Sequence, residues 1–164
     1  MNDYEIWFAS AKLSYNIKNK LISKFKNVQN IWYYSTRDEK NNLINEKIKK
    51  SLMNAWSEKN ITTIKNKLMK EQIHTVTITD ELYPKRLKAY EDSPYMLFYK
   101  GDITKLNNTK NVSIIGSRDC SSYGINVTNI ICDDLCIHNI NIVSGMAKGI
   151  DSIAHKKCID NNSY

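Results

Sequence analysis

The chain has 164 residues, of which 41% are hydrophobic, and a formal net charge of +7. This length and apolar fraction predict a folded protein of one ordinary domain or two small ones. No run of about 18 apolar residues is present, and the N-terminal residues lack the basic and apolar regions of a signal peptide, so the sequence predicts a cytoplasmic protein without a membrane span.

The charge is unevenly distributed along the chain. Residues 1–100 contain 18 Lys or Arg against 11 Asp or Glu, whereas residues 101–164 contain six of each. Clustered cations bind phosphates by releasing counterions, so the basic half suggests an anionic partner such as nucleic acid. The alternative is that the excess of Lys, Asn and Ile reflects an AT-rich coding sequence, whatever the function.

Residues 4–72 are predicted to be helical, because apolar side chains recur there at intervals of three and four residues. The recurring positions are Ile17, Leu21, Phe25 and Val28, then Ile44, Ile48 and Leu52, then Ile61, Ile64 and Leu68. Polar joints near 35–42 and 57–60 separate the segments. We expect a domain of short helices over residues 1–72, with the intervening lysines on its solvated faces.

The apolar period changes to two in Ile73–Thr79, which predicts a strand and places the domain boundary after residue 72. Pro84 and Pro94 interrupt the chain next, with a short helix predicted between them. A further strand is expected at Tyr95–Tyr99, ending at Gly101.

From Val112 onward the pattern is strand, loop, helix, strand, loop, helix. Strands are predicted at Val112–Ile115 and Ile140–Val143, and the helix between them is expected to bury Tyr123, Val127, Ile131 and Leu135; the last helix is expected to bury Ile150, Ile153, Ala154 and Cys158. This order predicts a right-handed βαβ unit. The predicted fold class is α/β: a small N-terminal helical domain followed, over 73–164, by a partial Rossmann-like parallel sheet of about three strands. Such a short sheet leaves apolar faces and an edge exposed, which favours association or instability.

Two glycine-bearing loops follow the two predicted parallel strands. In an open parallel sheet, anions bind beyond the carboxyl ends of the strands, where glycines allow close approach to backbone amides and an arginine can hold two phosphate oxygens. The candidate binding residues are Gly116, Ser117 and Arg118 in the first loop and Ser144, Gly145, Lys148 and Gly149 in the second. The alternative is that the glycines only turn strands into helices and that Arg118 pairs with Asp119 or Asp151. Neither a GxGxxG nor a Walker loop is present, which argues against the commonest dinucleotide and ATP sites.

Other residues have simpler structural interpretations. Asp151 and His155 lie four residues apart on one predicted helix, where they suit either acid–base chemistry or, as we expect, a local hydrogen bond that fixes the loop. Tyr123 is expected to pack inward rather than stack on a base. The cysteines near His138, Cys132 and Cys136, are expected to pack in the core. We therefore predict no catalytic residues, no cofactor and no metal site.

Three motifs carry a resemblance to a known family. They are LYPKRLKAYEDSPYMLFYKGD, GSRDCSSYG and SGMAKGIDSIAH, in that order. Over about residues 82–160 the chain resembles the bacterial DNA-processing protein A family, DprA or Smf. The resemblance implies an extended Rossmann fold and a non-enzymatic protein that binds and protects single-stranded DNA and helps load RecA during natural transformation or recombination. It carries the binding role to the same seven loop residues.

The sequence also departs from that family. The family's N-terminal domain often resembles a sterile-alpha-motif or helix-hairpin-helix module with glycines in its turn, whereas no glycine occurs from Met1 to Lys100. We therefore expect protein contacts rather than a separate DNA site in this half.

Family members also continue well past the last motif, so we expect this chain to be the N-terminal portion of one, whether truncated, split or a fragment. The predicted partners are single-stranded DNA, RecA and a second copy of the chain. Two alternatives remain: a nucleotide-binding Rossmann enzyme that uses Asp151 and His155, and an interaction module that does not bind DNA.

Overall fold

The computed structural model describes residues 2–37 and 42–164, so residues 38–41 of the predicted joint at 35–42 lie outside the described part. The chain divides into two compact units, Met1–Gly101 and Asp102–Tyr164. Within the described ranges, no helix has the length and apolarity needed to cross a bilayer.

The first unit is mainly helical, as predicted. Its elements are α1 (Asp3–Ser10), α2 (Tyr15–Phe25), α3 (Val28–Ser35), α4 (Glu46–Ala55), α5 (Glu58–Lys70), β1 (His74–Thr77), α6 (Lys85–Lys88) and β2 (Met96–Tyr99). Each of the first five helices begins after a side chain that accepts a hydrogen bond from a first-turn amide: Asn2, Ser14, Asn27, Asn45 and Ser57. Such caps satisfy amides that have no partner within the helix. These caps fix where each of the five helices begins.

The core of the first unit is built around aromatic residues. Trp7 and Phe8 on α1 are fully buried, and the indole Nε1 of Trp7 donates a hydrogen bond to the Leu52 carbonyl over 2.7 Å. Leu21, Leu52 and Ile61 from the predicted apolar stripes are buried in the same cluster. The predicted helical periodicity is therefore confirmed.

Strands β1 and β2 form an antiparallel pair, with His74 opposite Tyr99 and Thr77 opposite Met96. Tyr95 and Met96 are buried in the helical core, and the rings of Phe8 and Tyr95 lie 4.8 Å apart. The first compact unit accordingly continues to Gly101, beyond the end of the helices. The assignment of domains at 1–72 and 73–164 stays a prediction.

The second unit contains the predicted βαβ order. Its elements are α7 (Lys105–Asn108), β3 (Asn111–Ser113), α8 (Ser122–Ile137), β4 (Asn141–Val143) and α9 (Ile150–Asp160). Strands β3 and β4 are parallel, with Val112 opposite Ile142. Among the described residues this parallel sheet has two strands, so the expectation of about three was wrong: β1 and β2 pair only with each other.

Helix α8 buries a different face from the one predicted. Thr128, Cys132 and Cys136 are buried, whereas Tyr123 is 77% exposed and Ile131 is 43% exposed. The predicted stripe was wrong at Tyr123 and Ile131, whereas Leu135 packs against the buried cluster as expected. Helix α8 packs against α9, where Ala154 and Cys158 are also buried and small side chains allow close approach.

The packing interpretation of the cysteines is confirmed by this same cluster, which contains Cys132, Cys136 and Cys158. Burial raises the pKa of the Cys132 and Cys158 thiols, which keeps them protonated and unreactive.

A candidate nucleic-acid interface at two strand tips

The two glycine-bearing loops lie in contact at one edge of the parallel sheet. The first follows β3 and the second follows β4, so both leave the carboxyl ends of neighbouring strands. The amide of Ile150 donates to the Ser117 carbonyl over 3.1 Å, and the Ser144 hydroxyl donates to the Ile114 carbonyl over 2.7 Å. These two bonds hold the loops against each other at this edge of the sheet.

Glycine is required here by the packing of one loop on the other. A Cβ atom on Gly116 would lie 2.6 Å from Ile150 Cγ1. Gly149 has φ of +81°, and a Cβ there would lie 2.2 Å from the Ser117 carbonyl oxygen. Gly149 thus lets the backbones of the two loops touch, and Gly116 leaves room for the Ile150 side chain at the start of α9.

Asp151 lies beneath the second loop and is 5% exposed. Its Oδ2 accepts hydrogen bonds from the amides of Gly145 at 3.0 Å and Ala147 at 3.4 Å. Burial disfavours the charged carboxylate, but hydrogen bonds from the amides of Ala147, Gly145 and Gly116 outweigh this effect and lower the pKa of Asp151. The carboxylate therefore holds the loop in shape, and it occupies the Gly145 amide, which was expected to face a bound anion.

In the described part of the chain, Asp151 and His155 do not form the expected hydrogen bond. Oδ1 of Asp151 and Nε2 of His155 are both buried without a hydrogen-bond partner there. The expectation that Asp151 fixes the loop holds, but the partners are backbone amides rather than the imidazole. The sequence could not identify them because a carboxylate four residues from a histidine suits both arrangements.

The two candidate serine hydroxyls already donate hydrogen bonds within the loops. Ser117 donates to the Asp119 carbonyl over 2.8 Å and accepts from the Asp119 amide. Ser144 donates to the Ile114 carbonyl, one residue past the end of β3. Since a hydroxyl has a single proton, both serines shape the loops in this conformation and neither is free to donate to a phosphate.

The candidate cations, in contrast, are exposed. Arg118 and Lys148 lie at the surface of the first and second loop, and neither makes an ion pair or hydrogen bond with any residue in the described ranges. The alternative that Arg118 pairs with Asp119 or Asp151 was therefore wrong. Asp151 is engaged by backbone amides instead.

Two exposed apolar side chains lie beside these cations in the chain. Tyr123, in the first turn of α8, was expected to pack inward and does not. Met146, at the tip of the second loop, is 83% exposed and has φ of +57°. Met146 was missed because a methionine between two glycines gives no sequence signal for exposure. The two loops and the first turn of α8 therefore expose two cations, one aromatic ring and one methionine side chain. No group of side chains suited to a metal ion is found in the described part of the chain.

The fold and these loops together define a class of protein: a helical domain followed by a partial Rossmann-like sheet with paired glycine loops at its strand tips. Residues 74–164 match the family model described as DNA recombination-mediator protein A. The chain belongs to this family, as the resemblance implied.

Individual relatives agree with this assignment. The chain is 39% identical over 87 residues to "DNA processing protein DprA" of Bacillus subtilis, covering 53% of this chain and 29% of that protein. It is 37% identical over 91 residues to the Streptococcus pneumoniae protein of the same description, covering 56% and 32%, and 35% identical over 89 residues to "Protein Smf" of Escherichia coli, covering 54% and 24%. The matched regions thus span between a quarter and a third of these relatives.

A solved structure matches both units. The X-ray structure of DNA processing protein A from Streptococcus pneumoniae has a TM-score of 0.73 and 24% identity, covering 99% of this chain and 56% of that one. At this identity the likeness shows the fold alone. The structural likeness also covers the helical unit, whereas the sequence resemblance covered only about residues 82–160.

Proposed function

We propose that the chain binds single-stranded DNA without sequence preference at its strand-tip loops. The observation that carries the proposal is the pair of exposed cations, Arg118 and Lys148, on two loops that contact each other. A planar guanidinium can bridge phosphate oxygens, and a neighbouring ammonium adds a second positive charge. Contacts of these groups to phosphate oxygens carry no information about the base, so they give affinity without sequence preference.

Exposed side chains at the same loops support a single-stranded ligand. Tyr123 presents its ring to solvent in the first turn of α8. Bases of a single strand are free to stack on such rings, whereas those of a duplex are already stacked. The membership in a DNA-processing family agrees with this choice of ligand.

In this proposal the glycines, serines and Asp151 are positioning residues. Gly116 and Gly149 let the loops meet, Ser117 and Ser144 brace them, and Asp151 holds the amide of Gly145. The protein acts without catalysis in this proposal, since the Asp151 carboxylate is buried and engaged in the loop. Protection of the bound strand and delivery to RecA, with a second copy of the chain as a further partner, complete the proposed role.

The test is the affinity for oligo-dT at fixed ionic strength, measured by fluorescence anisotropy. Replacing Arg118 by Ala removes a charge-assisted hydrogen bond to phosphate, so we expect binding to weaken by roughly tenfold or more. Arg118→Lys keeps the charge but loses the planar fork, so its affinity for oligo-dT should lie between those of the native chain and Arg118→Ala.

Lys156→Ala is the matched control. Lys156 is exposed on α9 in the same unit, and its replacement lowers the net charge by the same amount. Its affinity should stay close to that of the native chain. Equal affinity of Arg118→Ala and the native protein, or equal loss in Arg118→Ala and Lys156→Ala, would contradict the proposal.

A further inference from the structure

A cavity of about 660 Å³ lies within the first unit, away from the strand-tip loops in the sequence. It is formed by α4, α5 and the segment that follows α1. A volume of this size falls in the range of small-molecule sites, roughly 300–1,000 Å³. None of the residues that line it belongs to the glycine loops.

Three lysines converge on this cavity: Lys12, Lys47 and Lys50. All three are exposed, and none of their ammonium groups makes an ion pair or hydrogen bond with a residue that the structure describes. No described lining residue is acidic. Three ammonium groups without a carboxylate among them repel one another, and a bound anion would relieve that repulsion.

The lysines are held by a rigid frame. Lys47 and Lys50 lie one turn apart on the same face of α4. The Ser51 hydroxyl donates to the Lys12 carbonyl over 3.0 Å, which ties the chain at Lys12 to α4. The Trp7 indole joins α1 to α4 as described above. The backbone positions of the three lysines are thus set before any ligand binds.

The opposite wall of the cavity is apolar and ends in polar groups. Ala55, Ile61 and Ile64 line it, and all three belong to or pack against the aromatic core. Asn60 lines the cavity from the first turn of α5, where the amide ends of the helix add partial positive charge. Its side-chain amide can both donate and accept hydrogen bonds.

We propose that this cavity binds a nucleoside phosphate. The phosphate lies against Lys12, Lys47 and Lys50, the base lies on the wall formed by Ala55 and Ile64, and Asn60 pairs with the edge of the base. The ligand is either a free nucleotide or one nucleotide unit of single-stranded DNA. The site is independent of the strand-tip proposal, and it reverses the expectation that the helical half has no site of its own for a nucleic-acid ligand.

The test uses the full chain carrying Arg118→Ala, so that binding at the strand tips does not obscure the result. Calorimetry with dAMP should detect binding, and the triple variant Lys12→Gln, Lys47→Gln, Lys50→Gln should weaken it by roughly tenfold or more. The control triple variant Lys20→Gln, Lys24→Gln, Lys70→Gln removes the same charge at exposed positions outside the cavity. It should leave dAMP binding within about twofold, since exposed charges at a distance are screened by salt.

The remaining arms separate the sources of the ligand. If the cavity variant weakens oligo-dT binding more than the control variant does, the bound nucleotide is a unit of single-stranded DNA. Binding of dAMP alone assigns a free nucleotide, and both results support the site. The proposal is overturned if neither dAMP nor oligo-dT binding depends on the cavity lysines, if both triple variants lose binding equally, or if inorganic phosphate binds as tightly as dAMP. If circular dichroism shows that the triple variant does not fold, the single variant Lys47→Gln takes its place in each measurement.

Discussion

At the scale of single residues, the strand-tip site depends on two positions where only glycine fits. Gly149 combines a positive φ with a backbone neighbour at 2.2 Å from the position of a Cβ atom. Its close neighbour is the Ser117 carbonyl, which also accepts the Ile150 amide. One backbone contact therefore fixes both the end of the first loop and the start of α9.

We expect Gly149→Ala to destabilise the second unit strongly. The unfavourable backbone conformation alone costs about 1–3 kcal/mol, and the added methyl group must also displace the Ser117 and Arg118 carbonyls. The measurement is the free energy of unfolding from urea denaturation, followed by circular dichroism.

Gly101→Ala is the matched control for this substitution. Gly101 has φ of +83°, but a Cβ atom there would meet nothing within 4 Å. It should lose only about 1–2 kcal/mol from the backbone conformation. A Gly149→Ala protein as stable as Gly101→Ala would show that the two loops do not pack as described.

At the scale of elements, the buried face of α8 consists of small side chains rather than large ones. Thr128, Cys132 and Cys136 are buried, while Ile130 and Ile137 are exposed. The Lys157 ammonium on α9 lies 3.0 Å from the Asp133 carboxylate on α8, at the rim of this contact. The position of α9, and not the hydrophobicity of α8, therefore decides which face of α8 is buried.

Cys132→Ser tests this packing. Cys132 is fully buried, so the serine would place a hydroxyl in an apolar cluster, and we expect a loss of about 1–3 kcal/mol in the free energy of unfolding. Cys120→Ser makes the same chemical change at a partly exposed position and should change stability by no more than about 0.5 kcal/mol. Equal effects in the two variants, measured by urea denaturation, would contradict the assignment of the buried face.

At the scale of the whole molecule, the two units differ in how much apolar surface they bury. Among the residues that the structure describes, fourteen buried residues, including Trp7 and Phe8, form the core of the first unit, whereas five form that of the second. The second unit also exposes Ile115, Ile130, Ile137, Met146 and Ile159. Since burial of apolar area is the main source of stability, the second unit should open more readily.

Amide hydrogen exchange followed by mass spectrometry tests this difference. We expect slower exchange in α1, α2 and α5 than in α8 and α9, because the first unit loses more buried area on opening. Addition of oligo-dT should then slow exchange in the second unit, as ligand binding stabilises the folded state. Equal or greater protection of α8 and α9 in the free chain would contradict the proposed order of stability.

Sequence reasoning succeeded where a local signal was strong. The helices of residues 4–72 were predicted because apolar residues such as Leu21 and Leu52 recur there at helical intervals. The parallel βαβ order was predicted because glycines follow two short apolar strands. The buried face of α8 was predicted wrongly because this helix has more apolar residues than the neighbouring helix α9 can cover.

The sequence by itself determined the helical and βαβ order, the family, and the presence of two loops with glycines and cations. It did so because these features depend on spacing along the chain. Only the tertiary structure decided which groups of those loops remain free: Asp151 takes loop amides, both serine hydroxyls are engaged, and Arg118 and Lys148 stay exposed. It alone also brought Lys12 beside Lys47 and Lys50. Hydrogen-bond partners and cavities form between residues distant in the chain, and no local pattern encodes which of them meet.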